Sequence, residues 1–349
     1  MIDSGSNIEN YNSVSLSRFP SWILALAGAA AYPGFLTAFS SVVKIHSNSD
    51  DPVIQTIFAV CAVVLMALAT AIPGISLWAL TKIRDSAQAS APALRRLLHL
   101  TFAVSPLYVF TLQVSAMIGL YQWHTTLWIA AAIIAITVFS RRTGEKPAHN
   151  KPTASITWMR VIHGVTALML LLGFFLLHLS NHSVAIWSAG LHEEVMKIFR
   201  LWYRSDWVES VILGLIGIML VTGVPMVTRH TRSGGDLFRN LQTTSGVYLS
   251  LFLCAHLIAV LGARMSNIET DWIFATGQNG LIKGAVFLIP YYILSVFMFI
   301  THVSLGFRMV LLAHNTSDRS ANRIFYSLIG LGIMTTIVVS AALLGLHTN

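Results

Sequence analysis

Histidine is the side chain here with chemistry to offer. The chain has 349 residues, 55% of them hydrophobic and 10% charged, yet it carries 13 histidines. A neutral imidazole is a good ligand for a transition metal and titrates close to neutral pH. His46, His124, His149, His230, His314 and His347 flank apolar runs and read as interfacial or loop residues. His99 and His163 fall near helix starts, where snorkelling toward the membrane surface accounts for them. His178, His256 and His302 differ, because each lies within or near the end of a continuous apolar stretch. A polar group at that depth is costly and normally has a partner or a task. Two readings are open: a neutral ring hydrogen-bonded to the next helix, or an axial ligand of haem iron. In the second, two histidines on facing helices clamp a porphyrin between them.

The elements that must hold these rings are transmembrane helices. A mean hydropathy of +0.69 is far above what a soluble core can hide. Runs long enough to span occur at about 20–43, 55–80, 97–121, 125–140, 157–180, 208–228, 243–263, 285–312 and 324–346. The expected fold is therefore all-α, a polytopic transmembrane bundle of about nine helices. Lys82, Arg84, Arg95 and Arg96 crowd the second connection, and Arg141, Arg142, Lys146 and Lys151 the fourth. Arg229, Arg232 and Arg239 fill the sixth, and Arg308, Arg319 and Arg323 flank the eighth. With nine helices these four lie on one side, so the positive-inside rule places the N-terminus in the cytoplasm and the C-terminus outside. Lys197, Arg200 and Arg204 in the fifth connection run against that rule, softened by Glu193, Glu194 and Asp206. The formal charge of +8 is thereby assigned to topology, with no nucleic-acid partner.

A charged seam at 141–157, with Pro147 and Pro152, divides the chain into residues 1–150 (four helices) and 151–349 (five helices). Cys61 and Cys254 sit in apolar runs as small buried residues without metal-binding spacing. The polar, partly acidic first eighteen residues do not have the pattern of a secretory signal peptide.

Depth selects one histidine pair. The fifth and seventh helices run the same way, with His178 near the outer end of one and His256 about two-thirds along the other. At 1.5 Å per residue, modest tilt brings them level. His302 lies on a helix of opposite direction, closer to the cytoplasmic side, which disfavours it as a third ligand to the same iron.

The C-terminal half also resembles a known family. Arg160-Val161-Ile162-His163-Gly164 followed by Gly173-Phe174-Phe175-Leu176-Leu177-His178-Leu179, Glu209 with Gly223, Phe238-Arg239-Asn240-Leu241-Gln242 with Ser245-Gly246 and His256, and His302-x-x-x-Gly306 occur in this order. Together they resemble the succinate dehydrogenase and fumarate reductase cytochrome b membrane anchors, in their single-chain, five-helix, two-haem form. The likeness covers about 155–345, and residues 1–150 have no counterpart in it. It implies haem b (heme b) held by first- and third-helix histidines, here His178 and His256, toward the outer side. It implies a second, inner haem held from the second and fourth helices. His302 matches the fourth, but the second-helix position falls on Leu220, which cannot ligate iron. One haem is the resulting expectation, with His302 either near a quinone or left as a structural relic. His163 is a candidate to line a quinone pocket, and Arg264 to pair a haem propionate. The resemblance also implies separate flavoprotein and iron–sulfur subunits docked on the cytoplasmic face of a bacterial inner membrane. The chain itself contains neither a nucleotide fingerprint nor a cysteine cluster.

The rival class is a cofactor-free transporter or structural membrane protein. Pro73-Gly74, Ser105-Pro106 and Gly223-Val224-Pro225 are the places where helices would break around a substrate, although no intramembrane acidic pair accompanies them.

Overall fold

The computed structural model describes residues 21–83, 90–141, 157–278 and 280–348, apart from the Ser233 side chain. The expected seam, with Arg142, Lys146, Pro147, His149, Lys151 and Pro152, lies outside the described residues, as does Arg84 of the second connection. The described chain is all-α: α1 (Ser21–Asn48), α2 (Pro52–Lys82), α3 (Ala91–Phe102), α4 (Val104–Met117), α5 (His124–Arg141), α6 (Thr157–Leu170), a π-helical turn (Leu171–Phe175), α7 (Leu176–Val184), α8 (Ala189–Tyr203), α9 (Asp206–Ser233), α10 (Leu237–Met265), the short α11 (Trp272–Thr276), α12 (Ile289–Ala313) and α13 (Asp318–Leu344). Eight helical spans are long and apolar enough to cross a membrane, α6 through α7 counting as one. Large apolar side chains such as Val63, Ile134, Leu172, Leu331 and Met334 point outward from them, as lipid contact requires. The protein is a multi-pass transmembrane helix bundle.

The third expected span, 97–121, takes a different form. It is two helices, α3 and α4, meeting at 84°. The bend falls at Ala103, just ahead of Pro106, whose missing N–H is tolerated in the first turn of a helix. Beside it the Ser76 hydroxyl bonds to Thr101 at 3.1 Å, so buried polar groups meet across the break. The pair still connects the two ends of the bundle. Leu94 and Leu98 of α3 pack with Trp22, Leu26, Leu80 and Ile83, and with Ile136 and Phe139 of α5. Val109 of α4 packs instead with Ala255 and Tyr291, near the opposite end. Counted this way the pair is a ninth crossing. Of the three expected Pro/Gly breaks this is the one that occurs, since Pro73 and Pro225 lie inside unbroken helices.

Each end has its own character. Buried Arg95 donates to the carbonyls of Ile83 (3.0 Å) and Arg232 (2.9 Å), tying α3 to the ends of α2 and α9. Arg308 lies 4.0 Å over the Phe238 ring, tying α12 to the start of α10. At this basic end the acidic residues among the described ones are Asp236 and Asp318. The far end is formed by Phe39, Val43, Ile289, Val339 and Leu343 around Trp272. There Asp50, Asp51, Glu193, Glu194, Asp206, Glu209, Glu269 and Asp271 offset the basic side chains. The awkward arginines of the fifth connection belong to this end. Arg200 donates to the Thr270 carbonyl (2.7 Å) and Arg204 to the Thr270 hydroxyl (2.6 Å), which fastens α8 to the segment before α11. Residues 21–141 and 157–348 share one interior, in which Phe102 and Ala103 pack with Tyr248 and Met298.

Candidate functional site: two facing histidine pairs

The clusters of buried apolar residues draw on α1–α5, α10–α13 and the far ends of α7 and α8, and on neither α6 nor α9. α6 packs along α9, while it makes few close backbone approaches to α10 or α12. What crosses that interval is a set of imidazole and aromatic rings.

Toward the far end His178 of α7 faces His256 of α10, with ring centres 6.1 Å apart. Each ring is backed by a phenylalanine one turn earlier on its own helix. Phe174 stacks on His178 at 5.1 Å and 23°, and Phe252 stacks on His256 at 5.6 Å and 13°. The pair expected from depth is thus brought together. Among the described residues neither ring is held by a hydrogen bond, and both are only half-buried despite lying inside the bundle.

The geometry can be set against what a shared metal demands. An imidazole nitrogen stands about 2 Å from a transition metal it ligates, with the ring centre about 1 Å behind it. Two histidines on opposite sides of one ion therefore have centres roughly 6 Å apart. His178 and His256 meet that spacing, so these residues fit axial ligation of a haem. Among the described residues no group of three or more His, Cys, Asp or Glu could hold a metal ion, which leaves two-ligand sites as the arrangement the histidines can make.

The π-helical turn contributes to this placement. His163 and His178 are fifteen residues apart, which on a regular helix leaves them about 60° out of phase. The wider π turn takes back part of that rotation, and both rings face the α10–α12 side. Within it the Gly173 carbonyl accepts from the Trp202 indole of α8 at 3.2 Å.

His163 and His302, which sequence reasoning assigned separately to a quinone pocket, are brought together. Their ring centres are 6.5 Å apart, nearer the basic end than the first pair. His163 Nδ1 is 3.0 Å from the Thr222 hydroxyl, and His302 Nδ1 is 3.1 Å from the Ser245 hydroxyl. Nothing in a linear sequence announces that contact between α6 and α12.

Arg264, expected beside a propionate, forms a two-pronged ion pair with Glu209 at the far end, one arm at 3.1 Å. Arg204 stands near it, its guanidinium pKa lowered by burial and by the charges of Arg200 and Arg264. His182 lies beyond His178, at 4.8 Å between ring centres, and faces His192 of α8 at 5.3 Å. His192 is buried and its Nε2 is 3.0 Å from the Asn181 amide. Burial, reinforced by Arg200, holds the His192 ring down to a pKa of about 4. His124, expected at an interface, is buried instead among Tyr108, Trp128 and Thr111, remote from both pairs.

Set against family models, curated proteins and solved structures, the chain finds no match, so the functional reading rests on its own residues.

Proposed function

We propose that this chain is a haem b-containing membrane electron-transfer protein of the cytochrome b anchor type, exchanging electrons between a quinone and a separate redox partner. The observation that carries the reading is the facing of His178 and His256 at 6.1 Å between ring centres, each ring stacked on a phenylalanine. A haem bound there supplies a one-electron carrier. His178 and His256 would hold it through their imidazole nitrogens, while Phe174 and Phe252 fix the ring planes and the surrounding apolar helices exclude water. Exclusion of water and the choice of axial ligand are the levers by which a protein sets a haem potential.

Two further features support the partners. An apolar recess between α6, α8 and α9 includes Met169, Gly173, Phe174, Trp202, Trp207 and Leu215. It shares Phe174 with the His178 site, and a membrane quinone entering from lipid would find it. The basic end is the proposed docking face for a flavoprotein or iron–sulfur subunit, as the resemblance implies. In this reading it is the cytoplasmic side of a bacterial inner membrane, with the N-terminus inside.

Reduced-minus-oxidised absorption of the purified chain tests the proposal. A bis-histidine haem b spectrum is expected, and His178→Ala or His256→Ala should each remove about one haem per chain. His182→Ala should leave the spectrum intact, because its ring is turned toward His192. A haem-free protein from haem-replete cells, or full haem content in both His178→Ala and His256→Ala, overturns the assignment.

A further inference from the structure

The His163–His302 pair has a feature that the outer pair does not. Each Nδ1 lies against a hydroxyl whose own proton is already committed. Thr222 Oγ1 donates to the Ile218 carbonyl at 2.7 Å, and Ser245 Oγ donates to the Gln242 carbonyl at 3.1 Å. A hydroxyl has one proton and two lone pairs, so toward the ring each of these oxygens acts as acceptor. His163 Nδ1 and His302 Nδ1 must then carry the hydrogens. In a neutral imidazole that leaves Nε2 of each ring as a bare lone pair. Fixing the tautomer by hydrogen bonding the far nitrogen is how proteins prepare histidines for metals. The Gln242 side-chain amide is farther off, at 3.4 Å from Nδ1 and 3.5 Å from Nε2 of His302, and Ser245 is the nearer partner.

The backbone is shaped to admit the His302 ring. A Cβ at position 246 would come 3.0 Å from His302 Cε1, so Gly246 lets α10 approach the ring edge. At Gly223 a Cβ would make only ordinary contact with His163, at 3.8 Å, so the tight approach is on the His302 side. With centres 6.5 Å apart, the rings again have the spacing of two ligands on one ion. Two rings at this spacing, each with an unprotonated Nε2, can offer one electrophile a lone pair from each ring. No carboxylate or further histidine completes a multi-dentate metal site among the described residues, so the electrophile must bring its own equatorial ligands. A metalloporphyrin does so.

We propose that His163 and His302 are the axial ligands of a second haem b, set nearer the basic end than the first. The proposal rests on the haem reading above and changes its ligand set. Leu220 occupies the position from which the resemblance would take the inner ligand, and α6 supplies that ligand instead. One helical unit, α6 through α7, then contributes a histidine to each site, completed by α10 at one level and α12 at the other. Fifteen residues at 1.5 Å each put the two levels roughly 20 Å apart along that helix. Each porphyrin, held between helices by ligands from its two faces, occupies part of that distance.

Haem per folded chain, by pyridine haemochrome with protein quantified independently, is the decisive measurement. About two haems are expected in the parent chain and about one in each of His163→Ala and His302→Ala. His163→Ala combined with His178→Ala should carry none. Because an alanine variant can lose haem by misfolding, His163→Met is paired with it. A thioether still ligates iron, so this variant should keep two haems while the reduction potential of one rises. Thr222→Val, which removes the acceptor at Nδ1 but not the ligand, should shift that same potential and leave the other unchanged. One haem that survives both His163→Ala and His302→Ala and is lost in His178→Ala overturns this proposal and leaves the first site standing. One haem with the opposite sensitivities overturns the first site and supports this one. No haem at all overturns both.

Discussion

Beyond the His178–His256 pair the imidazoles continue, from His256 through His178 and His182 to His192 on α8, with successive ring centres 4.8 to 6.1 Å apart. His192 is the member outside the membrane spans, and its ring resists protonation down to about pH 4 while an exposed histidine accepts a proton near 6.5. As pH falls between those values, the proton is taken up by the opened form and not by the folded one. Acid therefore favours opening of α8 across this window, and the effect levels off below pH 4. Hydrogen exchange should show protection of the α8 amides, corrected for intrinsic rates, falling from pH 6.5 to 4. His192→Gln should flatten that dependence, and unchanged protection in the parent chain would show that the folded ring takes up the proton. Residues of this kind mark the limit of sequence reading. His178 and His256 are legible because each interrupts an apolar run, and burial depth alone pairs them. The meeting of His163 with His302 depends on helix rotation, and the turning of Arg264 to Glu209 depends on which helices are neighbours; neither is written in any local pattern.

The π-helical turn at Leu171–Phe175 sets the rotation of α7 against α6. Inserting one alanine after Phe175, in the regular helix beyond the turn, would rotate everything after it by about 100°. His178 would swing away from His256, while His163, before the turn, would keep its partner. The expected result is loss of about one haem per chain, with the remaining haem still sensitive to His302→Ala. Retention of both haems would mean that the rotation is absorbed elsewhere. Hydropathy located this span and its neighbours because composition is all that a bilayer reads. It could not show the turn, since any order of Leu, Gly and Phe is equally apolar. The same reason hides the 84° bend within 97–121, for which Ser105-Pro106 was a usable cue. The amphipathic helix α8 lies between spans, where a search for continuous apolar runs does not look.

For the molecule as a whole, alternate crossings carry the chain from the basic end at Trp22 to the far end at Leu343. That places the two termini of the described chain on opposite faces, provided α3 and α4 act as one crossing. The positive-inside rule would put the basic end in the cytoplasm, and this expectation can be tested directly. A reporter active only in the periplasm, fused after Asn349, should be active, while the same reporter inserted in 142–156 should be silent. The reverse pattern, with the N-terminus in the cytoplasm, would mean that α3–α4 enters and leaves by one face, giving an even number of crossings. The vertical separation of the two histidine levels then has an electrical meaning. Roughly 20 Å of a hydrocarbon layer about 30 Å thick is some two-thirds of the membrane field. Moving a unit charge across the whole field involves about 2.3 kcal/mol per 100 mV. An electron passing between the levels would therefore exchange about 1.5 kcal/mol with the membrane voltage for each 100 mV. If the basic end faces the negative cytoplasm, transfer toward it would run against the voltage and transfer away from it with the voltage, so the polarisation of the membrane would bias which site holds the electron.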